Sequence, residues 1–354
     1  MSVYLHGLAT ALPPHSLSQS EVRERASVIF GEKYSQFERL AKTFDTAGID
    51  NRYSVVPIDW FSQDHGWSDR NAAFISGAKA MFIDAAQRAL DDANWQGAEV
   101  DCVVTVCSTG IATPSLEAMA FSEMGFRDDI MRVPIFGLGC AGGVSGMATA
   151  QSIAAGRPEA KVLLVVVETC SLSFRADRLQ KADIIATVLF GDGSAAACIS
   201  SAAPPSGNVV SFGQGHQQMW PDTLDIMGWD VDETGFGVVF DRSIPSFVTE
   251  EFAAATQGAL KSASLNHSQI ERYVCHPGGA KVVDAIEGAL HLDQGSLDAE
   301  RDTLRAAGNM SAPTVMFVMK SVIDAGKTGQ MMACALGPGF TASFLPFHVS
   351  KDAA

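Results

Sequence analysis

Three polar residues, each set among small residues, carry the chemistry this chain could perform. Cys140 lies in Gly139-Cys140-Ala141-Gly142-Gly143, His276 opens His276-Pro277-Gly278-Gly279, and Asn309 follows Gly308. A thiol between an apolar run and the start of a helix meets the positive end of the helix dipole, which favours the nucleophilic thiolate. Glycine neighbours let a substrate approach the sulfur closely. A histidine supplies a cationic or hydrogen-bonding activator, and an asparagine supplies a neutral amide donor. Neutrality matters, because a negative group would repel an enolate or oxyanion, whereas one well-placed donor contributes roughly 3 to 4 kcal/mol. Each residue also has a plainer role open to it: a buried structural thiol, a packed core histidine, a helix-capping asparagine. The same glycines, Gly137-Leu138-Gly139-Cys140-Ala141-Gly142, satisfy the GxGxxG pattern of a dinucleotide-binding turn. A cofactor turn requires neither a cysteine nor a matching His-Pro-Gly-Gly, so the nucleophile reading is preferred.

Such residues need rigid elements behind them. Apolar runs at 100–107, 133–136, 162–167 and 195–199 read as buried strands, with helices expected over 71–95, 114–125 and 144–155. Ser18 and Glu21 form a capping box for a helix toward residue 30, and a polar helix over 34–44 carries Arg39 and Lys42 on adjacent faces. The aromatic-rich stretch 52–67 has no clear period and reads as loop. A Pro-, Ser-, Gly- and Asn-containing stretch at 202–208 separates a second half. There, strands at 209–212, 237–240 and 273–275, helices at 245–264, 280–290 and 311–324, and two strands around Gly337-Pro338-Gly339-Phe340 repeat the alternation. Alternating strands and helices make an α/β protein. The sequence strand, reactive residue, small residue, Gly-Gly, helix occurs at both Cys140 and His276. It suggests a duplication whose pseudo-twofold axis makes those two turns equivalent and brings them together.

At 354 residues the chain has length for two lobes or one large duplicated domain. Hydrophobic residues make up 47% and charged residues 18%, as expected of a well-packed α/β protein. The formal net charge of −15 argues against general nucleic-acid binding. No stretch is long and apolar enough to span a membrane, and the seven cysteines form no CxxC pair, so a cytoplasmic protein with buried thiols is expected. No metal-ligand spacing is present among the histidines and cysteines.

The ordered motifs Gly139-Cys140-Ala-Gly-Gly143, Leu189-Phe190-Gly-Asp-Gly193, His276-Pro-Gly-Gly279, Gly308-Asn309-Met-Ser311 and Gly337-Pro-Gly-Phe340 cover nearly the whole chain. Together they resemble the type III polyketide synthases, the chalcone-synthase-like branch of the thiolase superfamily. The resemblance implies a layered αβαβα thiolase-like fold of two duplicated halves, 1–203 and 204–354. It implies that Cys140 takes an acyl group from acyl-CoA, while His276 and Asn309 hold malonyl-CoA, promote its decarboxylation and stabilise the enolate. Repeated condensation and cyclisation would follow, with no metal or redox cofactor and with a homodimer as the assembly. By position, Phe190, Val238, Ser173, Thr113, Ser311, Gly337, Pro338, Gly339 and Phe340 would bind substrate, and Arg39 and Lys42 would bind CoA, although a third basic position is Thr46. Val238 departs from the larger aromatic of the plant enzymes, and Thr113 falls near the loop that crosses the family's dimer interface. The wording Glu168-Thr-Cys-Ser-Leu-Ser-Phe174 and Met227-Gly-Trp-Asp230 looks closer to bacterial alkylpyrone and alkylresorcinol synthases, which implies a fatty acyl-CoA starter and a pyrone or resorcinol product. Two rivals remain: a ketoacyl synthase making one condensation onto acyl-carrier protein, and a non-catalytic acyl-CoA-binding member of the fold.

Overall fold

The computed structural model describes residues 2–31, 33–178, 180–204 and 209–351. In chain order the strands are β1 (Val3–Ala11), β2 (His15–Ser18), β3 (Asn51–Ser54), β4 (Cys102–Val106), β5 (Met131–Ile135), β6 (Val162–Thr169) and β7 (Asp192–Ser200). They continue with β8 (Val209–Phe212), β9 (His216–Met219), β10 (Met227–Val231), β11 (Phe236–Phe240), β12 (Arg272–Cys275), β13 (Gly329–Gly337) and β14 (Thr341–Ser350). Ten of them join in the order β12-β13-β14-β8-β1-β7-β6-β4-β5, with β9 on β14. β2 pairs with β3 and β10 with β11 in two separate two-stranded sheets.

Side-chain alternation along the strands shows the layers, because successive residues of a strand face opposite sides. In the first half Val103, Leu163, Val165 and Cys198 face an outer core with the helix Trp67–Ala93. Their neighbours Cys102, Val104, Leu164 and Ala197 face a central core with the helices Gly142–Gly156 and Thr314–Asp324. Met331 and Ala333 of the second half join the same central core, while Met332 and Cys334 face an outer core with the helices Ile244–Ser262 and Ala280–Ala289. Helix, strand, helix, strand, helix is the expected αβαβα order. β6 is buried at every position, as its apolar run requires when both faces are covered.

The topology confirms the duplication but changes which turns correspond. β4 lies parallel to β6, β6 antiparallel to β7, and β7 antiparallel to β1. β12, β13, β14 and β8 repeat that pattern. The counterpart of β12, and hence of His276 at its end, is β4 with Cys107 and Ser108. The counterpart of the Cys140 turn and its helix Gly142–Gly156 is Asn309 and the helix Thr314–Asp324. Short motif similarity picked the wrong pair, because Gly-Gly recurs wherever a backbone must approach closely.

Other expectations also shift. Residues 52–67 contain most of β3 and a short 3-10 turn at Ile58–Ser62, each too short to show a period. The expected helix over 114–125 is two short helices, Leu116–Met119 and Phe121–Met124. The helix Asp298–Ala307 and strand β10 carried no clear pattern in the sequence. β5, read as buried, is the edge strand; Met131 is exposed on it, and Phe136 just beyond it is 59% exposed. Part of the boundary stretch 202–208 lies outside the described residues. No helix is long and apolar enough to cross a membrane among the described residues.

Candidate active site

Cys140 sits on a 3-10 turn, Gly139–Ala141, that runs straight into the helix Gly142–Gly156. That helix can lie against the chain leading into Thr314–Asp324 because residue 143 is glycine: a Cβ there would stand 2.2 Å from the Ala312 carbonyl oxygen. A Cβ on Gly139 would meet Pro338 Cδ at 2.6 Å. Two glycines of the GxGxxG pattern, Gly139 and Gly142, therefore serve close packing inside the fold, while Gly137 supplies a left-handed turn, and the dinucleotide reading falls.

Cys140, His276 and Asn309 line one cavity, together with Met227, Phe240 and Ile244. His276 ends the Arg272–Cys275 strand. Asn309 lies between the helices Asp298–Ala307 and Thr314–Asp324. The Asn309 Nδ2 donates to the Gly278 carbonyl at 3.1 Å, tying it to the His-Pro-Gly-Gly turn, and its Oδ1 accepts from the Ser311 backbone N–H at 2.8 Å. With its amide held on both sides, Asn309 is a fixed donor rather than a helix cap.

Burial bears on the charge of both catalytic candidates. Burial pushes the Cys140 thiol up to about 11, against hydrogen bonds from Ser311 and Asn309 that favour the thiolate. Burial also draws His276 down to about 3, and neither of its ring nitrogens has a protein partner among the described residues. The helix start and the Ser311 and Asn309 hydrogen bonds favour the thiolate, while desolvation opposes the charged form of both groups. A neutral imidazole can accept the thiol proton and afterwards donate a hydrogen bond to a developing oxyanion.

A second cavity shares Cys140 and is lined by Phe190, Val238, Ser311 and Pro338 of the expected substrate set. It adds Ser108, Thr109, Cys170 and Trp229, which the sequence reading missed. A third, apolar cavity is lined by Ser173, Phe190 and Cys170 together with Leu17, Ile58, Phe61 and Phe174. Phe190 and Cys170 thus stand between the second and third cavities. Thr113 is exposed and lines none of the three, and Phe340 is core: its ring packs on Phe247 at a centroid distance of 4.6 Å. Gly337 and Gly339 line no second-cavity wall, but Gly337 packs its backbone against the Cys140 turn. Arg39 and Lys42 are both exposed on the helix Phe37–Thr46, away from the three cavity walls.

Glu168 is the main residue missed. It ends β6 fully buried, and its Oε2 accepts from the Ser108 N–H at 2.9 Å and the Thr109 hydroxyl at 2.7 Å. Burial raises it to about 8, so it is largely protonated at neutral pH. Ser108 Oγ in turn accepts from Gly137 N–H at 3.1 Å and Gly139 N–H at 3.3 Å, which couples Glu168 to the Cys140 turn. The available signal was an acidic residue closing a wholly apolar strand. Among the described residues no group of three or more His, Cys, Asp or Glu could hold a metal ion.

A duplicated five-layer fold with cysteine, histidine and asparagine in one internal cavity defines a thiolase-type condensing enzyme, an acyltransferase. Residues 3–204 match the N-terminal domain, and residues 211–348 the C-terminal domain, of the chalcone and stilbene synthases. The chain belongs to this family and is a type III polyketide synthase. It is 34% identical to the 1,3,6,8-tetrahydroxynaphthalene synthase of Streptomyces peucetius subsp. caesius over 95% of this chain and 90% of that one. It is 26% identical to the α-pyrone synthesis polyketide synthase-like protein of Mycobacterium tuberculosis, covering 98% and 91% of the two chains. The crystal structure of the tetrahydroxynaphthalene synthase of Streptomyces coelicolor, a bacterial type III polyketide synthase, superposes with a TM-score of 0.92 at 28% identity, covering 99% of this chain and all of that one.

Proposed function

We propose that this enzyme loads a fatty acyl group from acyl-CoA onto Cys140, extends it with malonyl-CoA and cyclises the product to a pyrone or resorcinol. The neutral His276 imidazole takes the Cys140 proton as the sulfur attacks the starter thioester, and CoA leaves. His276 and Asn309 then hold the malonyl thioester oxygen as carbon dioxide departs, stabilising the enolate. The enolate carbon attacks the Cys140 thioester carbonyl and displaces the Cys140 thiolate, leaving the acyl chain, two carbons longer, on CoA for reloading or cyclisation. Free CoA thioesters are the only co-substrates in this scheme, with no metal or redox cofactor. Arg39 and Lys42 supply positive charge for the CoA phosphates. Buried free thiols fit a cytoplasmic setting.

One observation carries the choice of starter: an apolar cavity adjoins the Cys140 cavity and shares Phe190 and Cys170 with it. Small Ser173 and the absence of a large side chain at Val238 favour an extended acyl chain there. A second copy of the chain is the expected partner. The edge strand β5, with Ile111 and Phe136 exposed near it, offers unpaired backbone and apolar surface. The test is mass spectrometry of products from a ladder of acyl-CoAs with malonyl-CoA, using Cys140→Ala as control. Long-chain pyrones or resorcinols are expected; turnover of acetyl or aromatic starters with no long-chain product overturns the starter assignment.

A further inference from the structure

Arg52, on β3, is 3% exposed, and no carboxylate pairs with it among the described residues. Its acceptors are main-chain carbonyls at the end of the helix Lys181–Leu189: Thr187, Val188 at 2.8 Å and Phe190 at 3.3 Å. A helix leaves its last carbonyls without intrahelical donors and carries partial negative charge there, so a buried guanidinium satisfies both needs. The carbonyl that Arg52 skips is Leu189, and it accepts the Asn309 backbone N–H at 2.8 Å. Asn309 returns the link, its carbonyl accepting Gly191 N–H at 3.0 Å. Phe190, which lines the Cys140 cavity, lies between these two bonds. Arg52 therefore grips the backbone on both sides of the one carbonyl that holds Asn309. The Cys140 turn is held by other contacts, those of Ser108, Pro338 and Ala312.

We propose that Arg52 is a positioning residue for the enolate-stabilising amide, setting Asn309 and Phe190 relative to Cys140. The role rests on the proposed decarboxylation of malonyl-CoA at His276 and Asn309. A displacement of a fraction of an ångström in a donor weakens oxyanion stabilisation steeply, whereas thiol loading does not depend on that donor to the same degree.

Two steps are measured separately in Arg52→Met and Arg52→Lys: conversion of malonyl-CoA to acetyl-CoA, and loading of Cys140 by acyl-CoA, read as intact-protein mass against time. Arg52 also lines the apolar cavity beside Phe190, so Arg52→Met is expected to slow decarboxylation at least tenfold and loading by a clearly smaller factor, and Arg52→Lys to recover a substantial part of the decarboxylation. Equal loss of both steps, or no loss in either, overturns the positioning role. If Arg52→Met does not fold, Arg52→Lys decides alone: a threefold or greater loss of decarboxylation with loading retained supports the role, and parity of the two steps overturns it. Wild-type enzyme that forms no acetyl-CoA from malonyl-CoA overturns the functional reading instead, a result distinct from unchanged decarboxylation in the variants.

Discussion

At Cys140 burial opposes the helix start, pushing the thiol up while hydrogen bonds from Ser311 and Asn309 favour the thiolate. In the proposed mechanism the sulfur is needed for loading and condensation, and His276 and Asn309 for decarboxylation. Cys140→Ala should therefore lose all polyketide product while still releasing carbon dioxide from malonyl-CoA, since His276 and Asn309 remain. His276→Ala should lower condensation by about 10² to 10³-fold, the effect of removing one oxyanion donor; a product assay paired with acetyl-CoA formation separates the two variants. Glu168 gives a pH prediction. Its carboxyl sits at about 8 in the fold against an ordinary 4.5, so the fold favours the protonated form. That contribution is fully present below about pH 4.5 and is lost as pH rises through about 8. Thermal midpoints of wild type should fall between pH 5 and pH 8.5, and Glu168→Gln should flatten the decline. Asp192, at about 6, and Glu300, at about 7, add a slope of the same sign in both proteins.

Elements matter here through how closely they approach. The helix Gly142–Gly156 packs on Ala312 and Val315 only because residues 142 and 143 lack side chains. Gly143→Ala should cost about 1 to 3 kcal/mol by overpacking, read as a lower urea midpoint, and should slow condensation because the same helix carries Cys140. The edge strand β5 tests the assembly. Phe136→Asp should shift the sedimentation of the enzyme toward monomer, since it places a charge on exposed apolar surface beside an unpaired strand. An unaltered sedimentation profile would count against β5 as the proposed self-association surface.

Across the whole molecule, the two halves are not separable bodies. Val104, Leu164 and Ala197 of the first half and Val274, Met331 and Leu345 of the second bury against the same pair of central helices. Each half alone would leave that core open to water. Calorimetry should therefore show one cooperative unfolding transition, and a fragment of residues 1–203 should not fold by itself; two resolved transitions would contradict the shared core.

Cys140, His276 and Asn309 were legible in the sequence because their chemistry demands special residue types beside small ones, and the buried strands were legible because two-sided burial writes long apolar runs. The α/β class followed from alternation, whereas the duplication was suggested by a motif correspondence that paired the wrong turns. Contacts distant in sequence decided the rest. Which turns correspond across the duplication depends on strand order, which no local motif encodes. The states of Cys140, His276 and Glu168 depend on how completely folding removes water from them. That Phe340 is core and Phe190 a cavity wall, although both sit in glycine-rich motifs, depends on the packing of partners many residues away. Local sequence specifies which groups and elements are available; burial and register across the assembled sheet decide which of them meet.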